Sequence, residues 1–415
     1  MHYNFDEPIN RKGSNSMKWN KNAMQAMCGE QDSLPLWIAD MDFKACKEVL
    51  AALQAEIDLG VLGYPVQAGY EPYFRQWVAK RHNWVIDDQD IQVCQGVLTS
   101  IAFMVELQSK EREGVIVPMP AYQPFVRIVS GLHRTLLRWP MIYDQRKHTF
   151  SLDWSKLDEL CSKARILIFC SPHNPTGIEF SPDDLKRVCT VAKKHDVFII
   201  CDEIHSDLSY GVHHPLVPIA EAVGVNAATC MAPSKTFNVA GEHFSVVVSK
   251  DHDLLHRLFM RMDTMFVAER SLTGNIVARA CYQYGYDWLM QLIPYLEANA
   301  QFIINWLRRN VPAITMIEPH ATFVSFLDCR DILPLVELDA KAHPEIYNHR
   351  LFPSGGMIGR FFGKYAHLAL QDGTWFGGEE YKQFVRFNYG TQRTVVEDAL
   401  ERIKGAVDYL NRTYG

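Results

Sequence analysis

The chain has 415 residues, more than one hydrophobic core usually supports, so two domains, or a large one with a smaller one packed on it, are expected. Its composition, 48% hydrophobic and 22% charged, is that of an ordinary globular protein. A net charge of -6 gives no basic footprint for nucleic acid, and no apolar run approaches the roughly 18 residues of a membrane span, so neither partner is expected.

The opening Met1-His2-Tyr3-Asn4-Phe5-Asp6-Glu7 lacks the basic segment and apolar core of a signal peptide. Ten cysteines show no C-x-x-C pair or zinc spacing, and several lie in apolar strand-like runs. They read as buried thiols in a reducing cytosol, so the expected location is cytoplasmic.

To about residue 46 the chain is polar and turn-rich, except for Leu36-Trp37-Ile38-Ala39-Asp40-Met41-Asp42-Phe43, which is too broken for a regular strand and is expected to be an arm packed on a core. From residue 47, Val49, Leu50, Leu53 and Ile57 repeat as on a helix; Gly60-Val61-Leu62-Gly63-Tyr64-Pro65 reads as a loop, and a second helix is expected over 70–82. The apolar run at 91–94 predicts a strand ending in Gln95-Gly96-Val97-Leu98-Thr99-Ser100, where a glycine before a helix lets backbone N–H groups face an anion.

Further apolar runs at 115–117, 166–170, 197–201 and 227–231 predict strands, and Ser181-Pro182 has the residues of a helix start. Short β-rich runs without alternation indicate a mostly parallel sheet with helices on both faces, an α/β fold. Thr99, Tyr122, Asn174, Asp202 and Lys235 each fall just beyond a predicted strand's C-terminal end, the edge where open α/β sheets bind ligands. Beyond residue 250 helices dominate. A long one is expected from Leu289 to Leu307 with Pro294 inside it, then a strand at 321–327, a loop-rich stretch holding Gly355, Gly356, Gly359 and Gly363, a strand around Arg386, and a last helix opened by a capping box of Thr394 and Glu397. The expected division is an arm at 1–46 belonging to the small domain, a large domain at 47–294 and a small α+β domain at 295–415.

The residues at the sheet edge match what a pyridoxal phosphate cofactor requires: an amine for its aldehyde (Lys235), a carboxylate for its ring nitrogen (Asp202), an aromatic face (Tyr122), a hydrogen bond to its ring hydroxyl (Asn174), and phosphate donors (Ser234 and the Gly96-Val97-Leu98 backbone). Ser171-Pro172-His173-Asn174-Pro175-Thr176-Gly177, Asp202-Glu203-Ile204-His205 and Ser234-Lys235-Thr236-Phe237-Asn238, with Asp202 and Lys235 33 residues apart, resemble the motifs of fold-type-I pyridoxal-phosphate enzymes, the aspartate aminotransferase superfamily. Within it, the 36–43 run, His205 in place of the aminotransferases' tyrosine, and Asp372-Gly373-Thr374-Trp375-Phe376-Gly377 resemble the carbon-sulfur β-lyases of the cystathionine β-lyase and maltose-regulon-modulator type.

The resemblance implies β-elimination on S-substituted cysteines, giving a thiol, pyruvate and ammonia. It implies that Arg386 clamps the substrate carboxylate, that Trp37 and Ile38 wall the pocket, that His205 lies at the cofactor, and that Tyr64 reaches the cofactor phosphate of a neighbouring subunit in a homodimer. Two alternatives use the same fold: an aminotransferase, or a regulatory protein whose surface binds a transcription factor. One departure stands after the lysine, where Glu242-His243 replaces the usual leucine and its successor. His243 falls where aminotransferases place a phosphate-binding arginine, so it is expected near the phosphate, with Glu242 turned toward solvent or a partner subunit. No metal is expected: His213 and His214 beside Tyr210 have no further ligand at suitable spacing and read as a solvated loop. Trp375-Phe376 is divided between core and pocket wall.

Overall fold

The computed structural model describes residues 2–347 and 355–415; residues 348–354, within the expected loop-rich stretch, lie outside the described residues. Eight strands form the larger sheet: β1 (Ile91–Cys94), β2 (Gly114–Met119), β3 (Thr135–Asp144), β4 (Thr149–Leu152), β5 (Ala164–Cys170), β6 (Phe198–Asp202), β7 (Ala227–Met231) and β8 (Ser245–Ser249). Their spatial order is β1-β8-β7-β6-β5-β2-β3-β4. The central run from β7 to β3 is parallel, whereas β8 is antiparallel to both neighbours and β4 to β3. Because β8 reverses direction between β1 and β7, the C-terminal end of β1 lies on the same sheet edge as those of β5, β6 and β7.

Strands β2, β6, β7 and β8 are buried at every position, as expected where helices cover both faces of a sheet. The helix Pro182–Lys194 begins at Ser181, whose hydroxyl accepts the Asp184 N–H at 3.1 Å. Its buried stripe is Leu185, Val188, Cys189 and Ala192. All ten cysteines are buried and free.

A second sheet, β9 (Thr315–Met316), β10 (Val324–Asp328), β11 (Gln371–Asp372) and β12 (Phe384–Asn388), is antiparallel in the order β9-β10-β12-β11. The helix Tyr286–Asn310, with Pro294 inside it, leads into this sheet. The last helix, Arg393–Tyr414, buries Val396, Leu400, Ile403, Val407 and Leu410.

Two expectations need correction. The capping box of Thr394 and Glu397 is not formed: the helix starts two residues earlier, with Gln392 at the N-cap position, and the Gln392 side chain is committed to the carbonyls of Glu7 (3.0 Å) and Asp42 (2.7 Å). The loop-rich stretch contains helices Leu333–Ala342 and Met357–Ala366, with Gly359 and Gly363 inside the second. Those glycines mark close packing: a methyl on Gly363 would collide with the carbonyl of Cys28, and one on Gly359 would press on Asp372. The helix Lys21–Cys28 needs that clearance to lie against Met357–Ala366.

The arm is held by charge and by two asparagines. Leu34–Pro35 pairs in parallel with Leu368–Ala369. Lys18, fully buried, bridges to Asp42 at 2.8 Å, and Arg11 reaches Asp42 at 2.7 Å and Asp40 at 3.1 Å. Together the two cations keep the Asp42 carboxyl below its ordinary value, although burial acts in the opposite direction. Asn388 donates to the carbonyls of Ile38 (2.6 Å) and Asp40 (2.7 Å), and Asn238 to those of Met41 (2.9 Å) and Phe43 (2.8 Å). A stretch without a regular ladder is thereby fixed at the mouth of the sheet.

Candidate active site

At the C-terminal edge of the larger sheet lies a cavity of about 580 Å³. Trp37, Ile38, Val97, Leu98, Thr99, Tyr122, Asn174, Asp202, His205, Ser234, Lys235, His243 and Arg386 all line it. Of the expected site residues only Tyr64 does not; it is 98% exposed, among the exposed Val61, Leu62 and Val66. Sequence reasoning missed Gln371, Cys170, Gln95 and Ile204, which also line the cavity. Gln371 stands opposite Arg386 in the β11–β12 ladder, and a two-residue strand leaves no periodic signal.

Several of these side chains are placed by the end of an element, whereas Arg386 comes from the middle of β12. The helix Val97–Gln108 opens at Gly96, whose φ of 94° sharply turns the chain out of β1. Its first N–H groups have no partner within the helix, so its N-terminus favours an anion. His243, itself at φ 47°, brings Nδ1 within 3.9 Å of where a Gly96 side chain would begin. Glu242 is partly exposed. Ser234 and Lys235 follow β7 in the short helix Pro233–Thr236.

Burial sets the electrostatics. The Lys235 amine donates to the carbonyl of Ala39 at 2.5 Å, and burial lowers its pKa to about 8. Asp202, the last residue of β6, accepts the N–H of Ile204 at 3.0 Å, yet burial raises its carboxyl to about 7. Arg386 extends from β12, donating Nη1 to Asn174 Oδ1 at 2.9 Å and Nη2 to the Trp37 carbonyl at 2.6 Å. Its Nε has no protein partner among the described residues, and desolvation lowers the guanidinium to about 10. His205 is buried, its Nδ1 2.9 Å from the hydroxyl of Thr322; burial and then the nearby Lys235 and Arg386 push its pKa well down, so it is neutral.

The aromatic residues divide between two tasks. Trp375 lines the cavity with its ring 5.7 Å from that of Tyr122, whereas Phe376 is core, lying 5.0 Å beneath the Arg386 guanidinium. His213 contradicts the expectation of a solvated loop. It is buried and paired at 2.6 Å with Glu179, a partner 34 residues earlier in the chain that local sequence does not reveal. No cluster of metal-ligating side chains occurs among the described residues.

A model of the family described as aminotransferase class I and II matches residues 32–403. The chain belongs to this family. It is 30% identical to cystathionine beta-lyase PatB of Bacillus subtilis (strain 168), over 97% of this chain and 100% of the relative. Protein MalY of Escherichia coli (strain K12) is 27% identical over 98% and 99%. Among solved structures, cystalysin from Treponema denticola, which contains a pyridoxal 5'-phosphate cofactor, superposes with a TM-score of 0.86 at 28% identity, covering 99% of this chain and 100% of that one. The fold is therefore that of aspartate aminotransferase, fold type I. No helix among the described residues is long and apolar enough to cross a membrane.

Proposed function

We propose that this protein is a pyridoxal-phosphate-dependent carbon-sulfur β-lyase that converts S-substituted cysteines, cystathionine among them, into a thiol, pyruvate and ammonia. The observation that carries the reading is the convergence, in one cavity, of the partly buried Lys235 amine, the buried Asp202 carboxyl and the Arg386 guanidinium beside a helix N-terminus. Full-length similarity to relatives named for cystathionine cleavage favours elimination over amino transfer.

The residues present fit the cofactor. A buried carboxyl with a pKa near 7 needs a cation to ionise fully, and a protonated ring nitrogen is one. The phosphate belongs at the N–H groups of Val97 and Leu98, with Ser234 and His243 beside it. Tyr122 offers a ring face, Asn174 an amide N–H for the ring hydroxyl, and His205 a neutral imidazole. When bound, pyridoxal phosphate supplies an electron sink for the pair left by breaking Cα–H.

The chain's own residues do the rest. Arg386 holds the amino-acid carboxylate with its planar fork and orients Cα toward Lys235. The Lys235 amine, its pKa near 8, takes the Cα proton as general base. Trp37, Ile38 and Trp375 wall the side chain and exclude water while the Cβ–S bond breaks with its electron pair on sulfur.

The active unit is a homodimer, in which the exposed Tyr64 loop reaches the partner's site; the exposure of Tyr64, Val61 and Leu62 supports this. Ten free thiols suit a cytoplasmic location. The cofactor is carried by the unit at 47–294, with 1–46 and 295–415 completing the substrate side. Incubation with L-cystathionine alone should release homocysteine and pyruvate over many turnovers. Glutamate formed rapidly from alanine and 2-oxoglutarate, with no thiol released from any S-substituted cysteine, would make the protein an aminotransferase.

A further inference from the structure

The turn after β6 has two sides. Asp202, Ile204 and His205 line the cavity, while Glu203 and Asp207 point to buried histidines behind it. His213, 3% exposed, places Nδ1 2.6 Å from Glu179 Oε1 and Nε2 3.4 Å from Glu203 Oε2. With a carboxylate facing each ring nitrogen, only the doubly protonated imidazolium presents N–H to both. Glu203 Oε1 accepts the Leu216 N–H at 2.7 Å, whereas neither Glu203 Oε2 nor His213 Nε2 makes a hydrogen bond among the described residues; the 3.4 Å approach of these two atoms makes His213 the counter-charge of Glu203.

Other groups pack around this pair. Glu179 is also bonded by the hydroxyl of Ser209. The His82 ring lies 5.4 Å from that of His213 and is itself bound to Asp207 at 2.8 Å. Asp207 in turn accepts from Trp77 (2.9 Å) and from Thr236 (2.9 Å), the residue after Lys235, and its carbonyl accepts from Arg81 at 2.9 Å. Two buried carboxylates, Glu203 and Asp207, and the partly buried Glu179 thus share two histidines behind the cavity. Glu203 is also among the charges that push the adjacent Asp202 carboxyl upward.

We propose that His213 is a positioning residue for the cofactor-facing carboxylate: as an imidazolium between Glu179 and Glu203 it fixes and neutralises Glu203, and so keeps Asp202 in place and ionised. This rests on the assignment of Asp202 to the cofactor's ring nitrogen. Without the imidazolium, the buried Glu203 and the partly buried Glu179 lose their shared cation, and the negative charge left on Glu203 raises the cost of ionising its neighbour.

Binding of pyridoxal phosphate to the apoproteins of the wild type, His213→Gln, Glu203→Gln and the double variant tests this, titrated across pH. For His213→Gln the affinity should fall about tenfold at about pH 6.5 and change little at about pH 9, as a one-unit rise in the Asp202 pKa requires. The double variant, lacking both the cation and the charge it neutralises, should return to near wild-type affinity throughout. An equal loss at every pH, or a double variant no better than His213→Gln, overturns the proposal. If His213→Gln fails to fold, recovery of a folded, cofactor-binding protein on adding Glu203→Gln supports the coupling, and a double variant that is equally unfolded refutes it. Failure of the wild type to bind the cofactor through Lys235 would instead sink the active-site reading itself.

Discussion

The Lys235 amine is hydrogen-bonded to the backbone carbonyl of Ala39, 196 residues away, so the group at the end of β7 is aimed by the N-terminal arm. The carbonyl is in turn fixed by its neighbours, since Asn388 holds those of Ile38 and Asp40. A short, desolvated contact of this kind leaves the amine little freedom to point elsewhere.

Borohydride treatment of the yellow holoenzyme should therefore abolish its visible absorbance and leave the cofactor on Lys235 in peptide maps. Lys235→Ala should keep the far-ultraviolet dichroism of the wild type and lose activity by at least about 10²–10⁴-fold, the contribution of a positioned general base. An adduct mapped to another lysine would contradict the assignment.

Arg386→Lys should raise KM for the amino acid much more than it weakens cofactor binding. A point charge cannot reproduce two parallel hydrogen bonds, and the loss should be about 1.5–3 kcal/mol, the scale of a charge-assisted hydrogen bond. Comparable losses of cofactor and substrate would assign Arg386 a purely structural role.

The apoprotein should lose stability as pH rises, for two reasons with the same sign. Asp202 has its pKa raised from 3.8 to about 7, so its contribution is full below 3.8 and lost as pH climbs through 7. His213 has its pKa raised from 6.5 to about 9 by its carboxylates, and its contribution is full below 6.5 and lost through 9. Thermal melts of apoprotein across pH should show both falls, with Asp202→Asn flattening the lower one. Saturation with pyridoxal phosphate should also flatten the lower one, because the bound ring nitrogen then supports the carboxylate. A lower window identical in Asp202→Asn and wild type would reject the cause given.

Gly363→Ala tests the packing of the arm. The added methyl meets the Cys28 carbonyl, backbone that cannot move aside easily, so a loss of about 1–3 kcal/mol is expected, as for other overpacked sites. Denaturant melts provide the measurement; an unchanged midpoint would mean that the helix Lys21–Cys28 sits farther away.

What could be read from the sequence follows from how each segment is buried. Strands β5, β6 and β7 are continuous apolar runs ending in a polar residue or turn, and their ends gave Asn174, Asp202 and Lys235 directly. Strand β3 escaped notice because it carries Arg138 and Pro140 and is only partly buried. The helix Met357–Ala366 was hidden by the glycines that let it pack. Trp37 and Ile38 have no periodicity at all, and only the resemblance to a family pointed to them. His213 was misread because the groups that bury and charge it, Glu179, Glu203 and His82, come from other segments of the chain.

Asn174 spends its amide oxygen on Arg386, which fixes the amide's orientation and leaves its nitrogen as the donor for the ring hydroxyl in the assignment proposed above. On that assignment the carboxylate clamp and the donor to the ring are joined by one hydrogen bond through the Asn174 amide. A carboxylate arriving at Arg386 would then be felt at the chromophore, so a simple acid without an amino group should alter the holoenzyme's colour although it undergoes no chemistry.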